Sequence, residues 1–429
     1  MAGIPQLNSL PSAPNSLYLD FDGHYEPVWH NHYNVNSAAY DRNGKPEFSA
    51  NEAQDIIKIW NMVADDFAPF NVNVTTIAPT VGDPHALRVV FASQSSAQYF
   101  SQGQLKWSVG SNFVMRSDGT QERGSGISFV GSFTNSDPNT AYVFTDTVAQ
   151  FGRLTPEQIA NTASHEAGHA FGLRHHQSRA FLLTNGGPNV NEYETGNGLE
   201  TPIMGDNLVT GTRHVWSTAP NLLGTQNQVA ILTSVLGTRP DDVGGDWSTA
   251  TPLTLTPSGV DPRTLNAISS VQRWGVISST SDDDVYRFRT TETGVITIDA
   301  TPSFEGNLDA RLDIFRADTE IRIVNGIRRS FTVQTLVASV DPPNFKSLGV
   351  TWGLSATWQG KLPAGNYVVA VKSHGDYGDL GNYHLTVSLQ TPTLVNRAAS
   401  SSSEAAGADL YFAALAAEST PPKKAKSLR

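Results

Sequence analysis

No stretch of the chain constrains its fold as tightly as residues 165–175, His-Glu-Ala-Gly-His-Ala-Phe-Gly-Leu-Arg-His. His165 and His169 are four residues apart, so a helix would set both imidazoles on one face, one turn apart. Two neutral imidazoles in that relation can grip one Zn²⁺. Glu166, beside the first of them, sits where a carboxylate can reach a water held by the metal. Gly172 lies where the helix must end, because a residue without a β-carbon takes the left-handed conformation at little cost. The turn made there would return His175 as a third ligand. Three protein ligands and one open position is the arrangement of a catalytic zinc rather than a closed structural one. The bland alternative is a helix that happens to carry surface histidines, and five fixed residue types at fixed spacing weigh against it.

The run matches H-E-x-x-H-x-x-G-x-x-H and resembles the metzincin metallopeptidases. That resemblance implies a methionine turn under the metal, and Pro202-Ile203-Met204-Gly205 follows a Gly/Asn-rich loop at a suitable distance. Only 4 Met occur in the chain, which makes one in a Pro/Gly-flanked turn informative, although Met204 alone also reads as core filling. Some metzincins carry a Tyr two residues beyond that Met. Asp206 stands there here, so no tyrosine role is carried over. His176 reads as a solvent neighbour of His175. His24, His30 and His32 read as polar surface, not as a second metal site.

With 429 residues, two or three domains are expected. The net charge of −11, from 40 acidic against 29 basic residues, argues against nucleic acid as a partner. There is no cysteine, which excludes disulfides and any latency in which a thiolate blocks zinc. No segment approaches the roughly 20 apolar residues of a membrane span. Met1–Pro5 lacks the basic start and apolar core of a leader. A free peptidase inside a cell would be a hazard, so the expectation is a secreted or cell-surface bacterial protein whose leader is not in this chain.

Residues 1–15 read as a flexible lead-in. Residues 16–22 alternate and predict a strand, while 24–48 read as polar and turn-rich. Ser49 and Glu52 form a capping box for a helix with apolar positions Ile56, Ile57, Trp60, Val63 and Ala64 that stops near Pro69. Strands are predicted at 72–76, 87–92, 126–131 and 142–144. Thr155, Pro156 and Gln158 open the histidine helix. This order resembles the metzincin amino-terminal subdomain, a twisted mixed sheet with two helices behind it. The resemblance covers about residues 16–236, extends to Leu17–His24 and Val63–Val72, and is to a group of bacterial secreted metzincin-like peptidases. It implies that Gly126, Ile127, Ser128 and Phe129 pair with an extended substrate as an edge strand. An ordinary edge or inner strand is the alternative.

From about residue 238 the pattern changes to short alternating strands, at 285–289, 295–300, 310–315 and 366–371, separated by turns such as Pro363–Asn366. An antiparallel β-sandwich over 240–390 is predicted. Asp282–Phe288, Leu362–Tyr367 and Gly381–Val387 resemble the bacterial pre-peptidase C-terminal domain. Asp241, Asp242 and Asp246, or Asp282, Asp283 and Asp284, could supply hard oxygen ligands to Ca²⁺; a solvated acidic loop is the alternative. Residues 391–429 are Ser/Ala/Pro-rich and predict a disordered tail, with a short helix conceivable at Leu410–Leu415.

The expectation is thus an α+β metzincin-like catalytic domain, 16–237, followed by an antiparallel sandwich. It would be a monomeric zinc endopeptidase acting on protein or peptide substrates, with Ca²⁺ the second cofactor if there is one. The zinc chemistry is expected to lie wholly in residues 1–237, with Gly237–Pro240 as a linker. The rival reading is a non-catalytic surface or matrix binding protein on a peptidase scaffold, against which the intact Glu166 and three histidines weigh.

Overall fold

The strand Asn15–Asp20 buries Leu17 and Leu19 on one side and Tyr18 and Asp20 on the other. A strand covered on both faces belongs inside a layered α/β unit, and a computed structural model of the chain has that arrangement. It describes residues 3–393 apart from 31, 46, 93–94, 102–103, 110–113, 116–120, 123–124, 136, 146–153, 187–190, 304–305 and 348–349, and gives the backbone alone for the strands within 95–122. The tail beyond 393, including Leu410–Leu415, lies outside the described residues.

Five strands form the first sheet in the order Gly126–Ile127, Thr140–Phe144, Ala86–Ala92, Asn15–Asp20, Val72–Thr75. All neighbours run parallel except the Gly126 edge, which is antiparallel to Thr140–Phe144. One face carries α1 (Ala50–Asp66) and α2 (Pro156–Ala170). Both helices start at the boxes read from sequence: Ser49 Oγ accepts from the Glu52 backbone N–H and the Glu52 carboxylate accepts from that of Ser49. Thr155 and Gln158 do the same for α2. From Ile159 to Ala170 every residue of α2 is buried. Ala160, Ala163, Ala167 and Gly168 make this possible, because small side chains let neighbours close on the helix from all sides.

The opposite face of the sheet holds a second, antiparallel layer in the order His24–Trp29, His32–Ser37, Ser95–Ser101, Gln104–Val109. Residues 24–48 are therefore not simply turns. Their polar composition conceals a hairpin that buries Trp29 and Val35 against Val90, Tyr142 and Phe144. The strand expected at 126–131 is also shorter, pairing only at Gly126 and Ile127 before the chain turns down along α2.

Two further five-stranded sheets, in the orders Thr251–Pro252, Asp283–Thr290, Gly365–Ser373, Ala310–Val324, Ile327–Val340 and Thr256–Val260, Ala267–Ile277, Gly381–Thr391, Gly294–Pro302, Ala356–Leu362, face each other. All pairs are antiparallel except the short Thr251–Pro252 edge. Between them lies a second core that includes Tyr286, Ile296, Ile298, Leu312, Ile314, Val369 and Val387. The alternation read from sequence produces this sandwich, its inward positions forming the core. The stretch Gly237–Pro240 that links the two parts is itself pinned: Asn71 N–H donates to Gly237 O (3.0 Å) and Arg239 N–H to Pro69 O (3.0 Å). Tyr377 Oη accepts from the Val229 N–H (3.0 Å), next to the start of the helix Gln228–Leu236. Among the described residues no helix is long and apolar enough to cross a membrane.

Candidate metal centre

The centre grows from the end of α2. The helix stops at Ala170, and Gly172 adopts φ +104°, which lets the chain reverse. His165, His169 and His175 then gather, with ring centroids 4.8, 5.3 and 4.8 Å apart. One ligand atom from each lies within 4.8 Å of the others. The Nδ1 atoms are engaged elsewhere: His165 with Ile203 O (2.8 Å), His169 with Leu173 O (2.8 Å) and His175 with Glu192 Oε1 (2.9 Å). Carbonyls can only accept, so the first two Nδ1 atoms carry the proton, and the Glu192 carboxylate asks the same of His175. The Nε2 lone pairs are thereby left for a metal, with each ring held in orientation from behind.

Electrostatics favours the same protonation states. Burial, then the neighbouring imidazoles His169 and His175, hold His165 well below its ordinary value. Burial, then His175, pushes His169 down to about 3. Neutral rings are what a cation needs. Burial pushes the Glu166 carboxyl up to about 8.

Met204 is fully buried under the helix in the turn after Ile203. Gly126 lies against Glu166: an ideal β-carbon on residue 126 would be 2.6 Å from Glu166 Cγ and 2.7 Å from Oε1. The segment that follows tracks the end of α2 through Gly131 N–H to His169 O (2.9 Å) and Phe133 N–H to Ala170 O (3.1 Å). Ile127 continues the edge, whereas Ser128 and Phe129 leave it, and Phe129 packs on Trp29 with centroids 4.6 Å apart. His176 turns away from the cluster to Ser217 Oγ (2.9 Å). Among the described residues His24, His30 and His32 do not gather; His24 meets Glu26 and His30 meets Asp137.

Two residues of the centre had no signal in the sequence motif. Glu192 backs His175, and the Tyr193 ring lies 4.7 Å from His175 and 6.2 Å from His165. Both come from the loop between α2 and the Met204 turn, and only the fold brings them back. A cavity of about 330 Å³ opens beside His169 and His175, edged by Val130, Arg174, Leu222 and Leu223.

Of the six acidic residues singled out in the sandwich, Asp241, Asp282 and Asp284 gather with carboxylate oxygens within 4.8 Å. Asp284 is fully buried, and its Oδ1 has no hydrogen-bond partner. Burial first, and then the charges of Asp242, Asp282 and Asp241, push it up to about 8. Asp242 stands beside this group, outside the set of three. Asp246 is occupied capping its own turn at Ser248 and Thr249, and Asp283 pairs with Lys372 (2.7 Å).

A helix-borne histidine pair and a third histidine after a glycine turn thus meet beside a mixed sheet. In keeping with this, residues 70–176 match the family model of the M12B reprolysin-like metallo-peptidases. No curated protein matches the chain. Among solved structures, 35% of this chain aligns with 97% of the pre-peptidase C-terminal domain of a Bacillus anthracis collagenase, at 15% identity and TM-score 0.21. Another 33% alignment, with 96% of the Aeromonas hydrophila periplasmic inhibitor of g-type lysozyme, has 15% identity and TM-score 0.18.

Proposed function

We propose that this protein is a zinc-dependent endopeptidase, with His165, His169 and His175 as the zinc ligands and Glu166 as the general base. The observation that carries this reading is the gathering of the three histidines, each tied down at Nδ1 and each with a ring nitrogen within 4.8 Å of the others, next to a buried carboxyl group. Three neutral imidazoles fit Zn²⁺ and leave it an open position. Bound zinc would supply Lewis acidity toward a water molecule and the scissile carbonyl.

The remaining work belongs to the chain. Glu166, buried beside the three imidazoles, takes a proton from the attacking water and returns it to the leaving amine. The Gly126–Ile127 edge offers backbone groups to an extended peptide, with Ser128 and Phe129 bounding that path. The absence of a side chain at Gly126 lets the edge approach Glu166. The cavity at Leu222 and Leu223 would receive one substrate side chain. Met204 forms the floor beneath the ligands.

In this reading residues 16–237 carry the reaction and 240–390 form the sandwich, where Asp241, Asp282 and Asp284 would hold Ca²⁺. The unpartnered buried oxygen of Asp284 supports a hard cation there. The protein acts outside the cell or at its surface, as a monomer, on protein substrates. Clearing of casein or gelatin tests the function: activity should vanish with a zinc chelator and return with zinc. Chelator-insensitive clearing, or none from zinc-loaded protein, contradicts it.

A further inference from the structure

α1 ends on two consecutive carboxylates, Asp65 and Asp66, that are 1% and 5% exposed. No cation reaches either within ion-pair distance among the described residues. Buried carboxyl groups need hydrogen-bond donors, and the sandwich provides them. Asp65 accepts from the backbone N–H of Asn307 (2.8 Å) and from both the backbone (3.0 Å) and side chain (2.9 Å) of Asn382. Asp66 Oδ1 accepts from Asn307 Nδ2 at 2.6 Å. The other oxygen of Asp66 accepts from Ser164 Oγ at 2.5 Å. Ser164 immediately precedes His165.

A chain of side-chain hydrogen bonds therefore runs from a sandwich loop, across the end of α1, to the turn of α2 that presents the first histidine. The approach is close. A β-carbon on Gly381 would lie 2.9 Å from the Asp65 carboxylate, and one on Gly378 2.1 Å from the Trp216 carbonyl oxygen. Trp216 in turn donates to the Asp66 carbonyl (2.6 Å) and reaches under Gly168 of α2. Buried Arg213 ties the same seam, pairing with Asp379 and donating to Asn307 O (2.8 Å).

We infer that the sandwich is a working part of the metal centre, with Asn307, Asp66 and Ser164 as positioning residues that fix the turn of α2 carrying His165. The inference rests on the zinc-peptidase reading above, and it replaces the expectation that residues 1–237 act unaided. Contacts that only glued two units together would end at α1. Here the bonding continues to the residue beside a ligand, and groups behind metal ligands set their orientation.

The test uses the full chain as wild type, Asn307→Ala, Ser164→Ala, the double variant, and Thr351→Ala. Thr351 also bridges the two parts, donating to Leu199 O (2.8 Å), away from α2. Three quantities are read: kcat and KM on an unstructured peptide, zinc affinity by chelator competition, and amide hydrogen exchange of α2 in metal-free protein. Each single variant should lower kcat and zinc affinity about tenfold with little change in KM, and should speed exchange in α2. The double variant should be no worse than either single, because the bonds act in series. Thr351→Ala should behave as wild type. Wild-type kcat, zinc affinity and α2 exchange in Asn307→Ala, or losses that multiply in the double variant, overturn the inference. If Asn307→Ala does not fold, Ser164→Ala, which leaves the seam in place, decides by the same readouts, and wild-type values overturn it. If the wild type binds zinc but hydrolyses nothing, the peptidase reading fails, while zinc affinity and α2 exchange still decide the positioning role.

Discussion

Met204 Sδ occupies the space where a side chain on Gly168 would stand: a β-carbon there would lie 2.6 Å from the sulfur. Leu173 and Trp216 close the same space at 3.4 Å. The glycine between the first two histidines is thus the position through which the methionine turn seats under α2. Gly168→Ala should improve helix propensity by about 1 kcal/mol. The overpacking it causes should nevertheless destabilise the protein by about 1–3 kcal/mol and weaken zinc binding. Urea unfolding and a zinc titration check this; a more stable variant would mean that Met204 does not lie there.

Glu166→Gln should keep the fold and the zinc while cutting kcat at least about 10²–10⁴-fold, since an amide has the shape of the carboxyl but cannot take the proton. Steady-state kinetics on a zinc-loaded variant measures it. Near wild-type turnover would remove Glu166 from the mechanism.

The sequence made the centre legible where the proposed ligands lie within one helix and one turn. His165, His169, Gly172 and His175 are positioned by local geometry, and so are the caps at Ser49 and Thr155. Legibility failed where tertiary contact decides. The hairpin within 24–37 is polar in composition and exists because Trp29 and Val35 cover the far face of the sheet. Glu192 and Tyr193 carry no periodic signal and return to His175 only through the folded loop. Nothing in the local sequence around Asp65 and Asp66 signals burial, and it is the second part of the chain that buries them. Gly237–Pro240 reads as a linker by composition, yet its hydrogen bonds to Pro69 and Asn71 pin it.

Asp66 makes stability depend on pH. Burial, reinforced by Asp65, pushes its carboxyl from 3.8 up to about 8 in the fold. As pH rises from about 4 to about 8 the unfolded chain loses this proton while the folded chain keeps it, so the group's contribution to stability falls across that window and levels off above it. Asn at this position is uncharged at every pH, as the protonated acid is, and keeps an acceptor oxygen for Asn307. The stability of Asp66→Asn relative to wild type should therefore rise between pH 4 and pH 8. Urea unfolding at a series of pH values reads the difference; a constant offset would contradict the buried assignment.

Calcium should raise the melting temperature of the full chain. The effect should weaken below about pH 8, where a proton competes for Asp284, and vanish in Asp284→Asn. Differential scanning calorimetry with Ca²⁺ and with a calcium chelator measures this. An equal shift in the variant would place the cation elsewhere.

Elemental analysis of the purified full chain beside His165→Ala, His169→Ala and His175→Ala tests the zinc assignment most directly. One zinc per wild-type chain is expected, with tight binding lost in each variant. A wild type without zinc, or variants that retain it in full, would contradict that assignment.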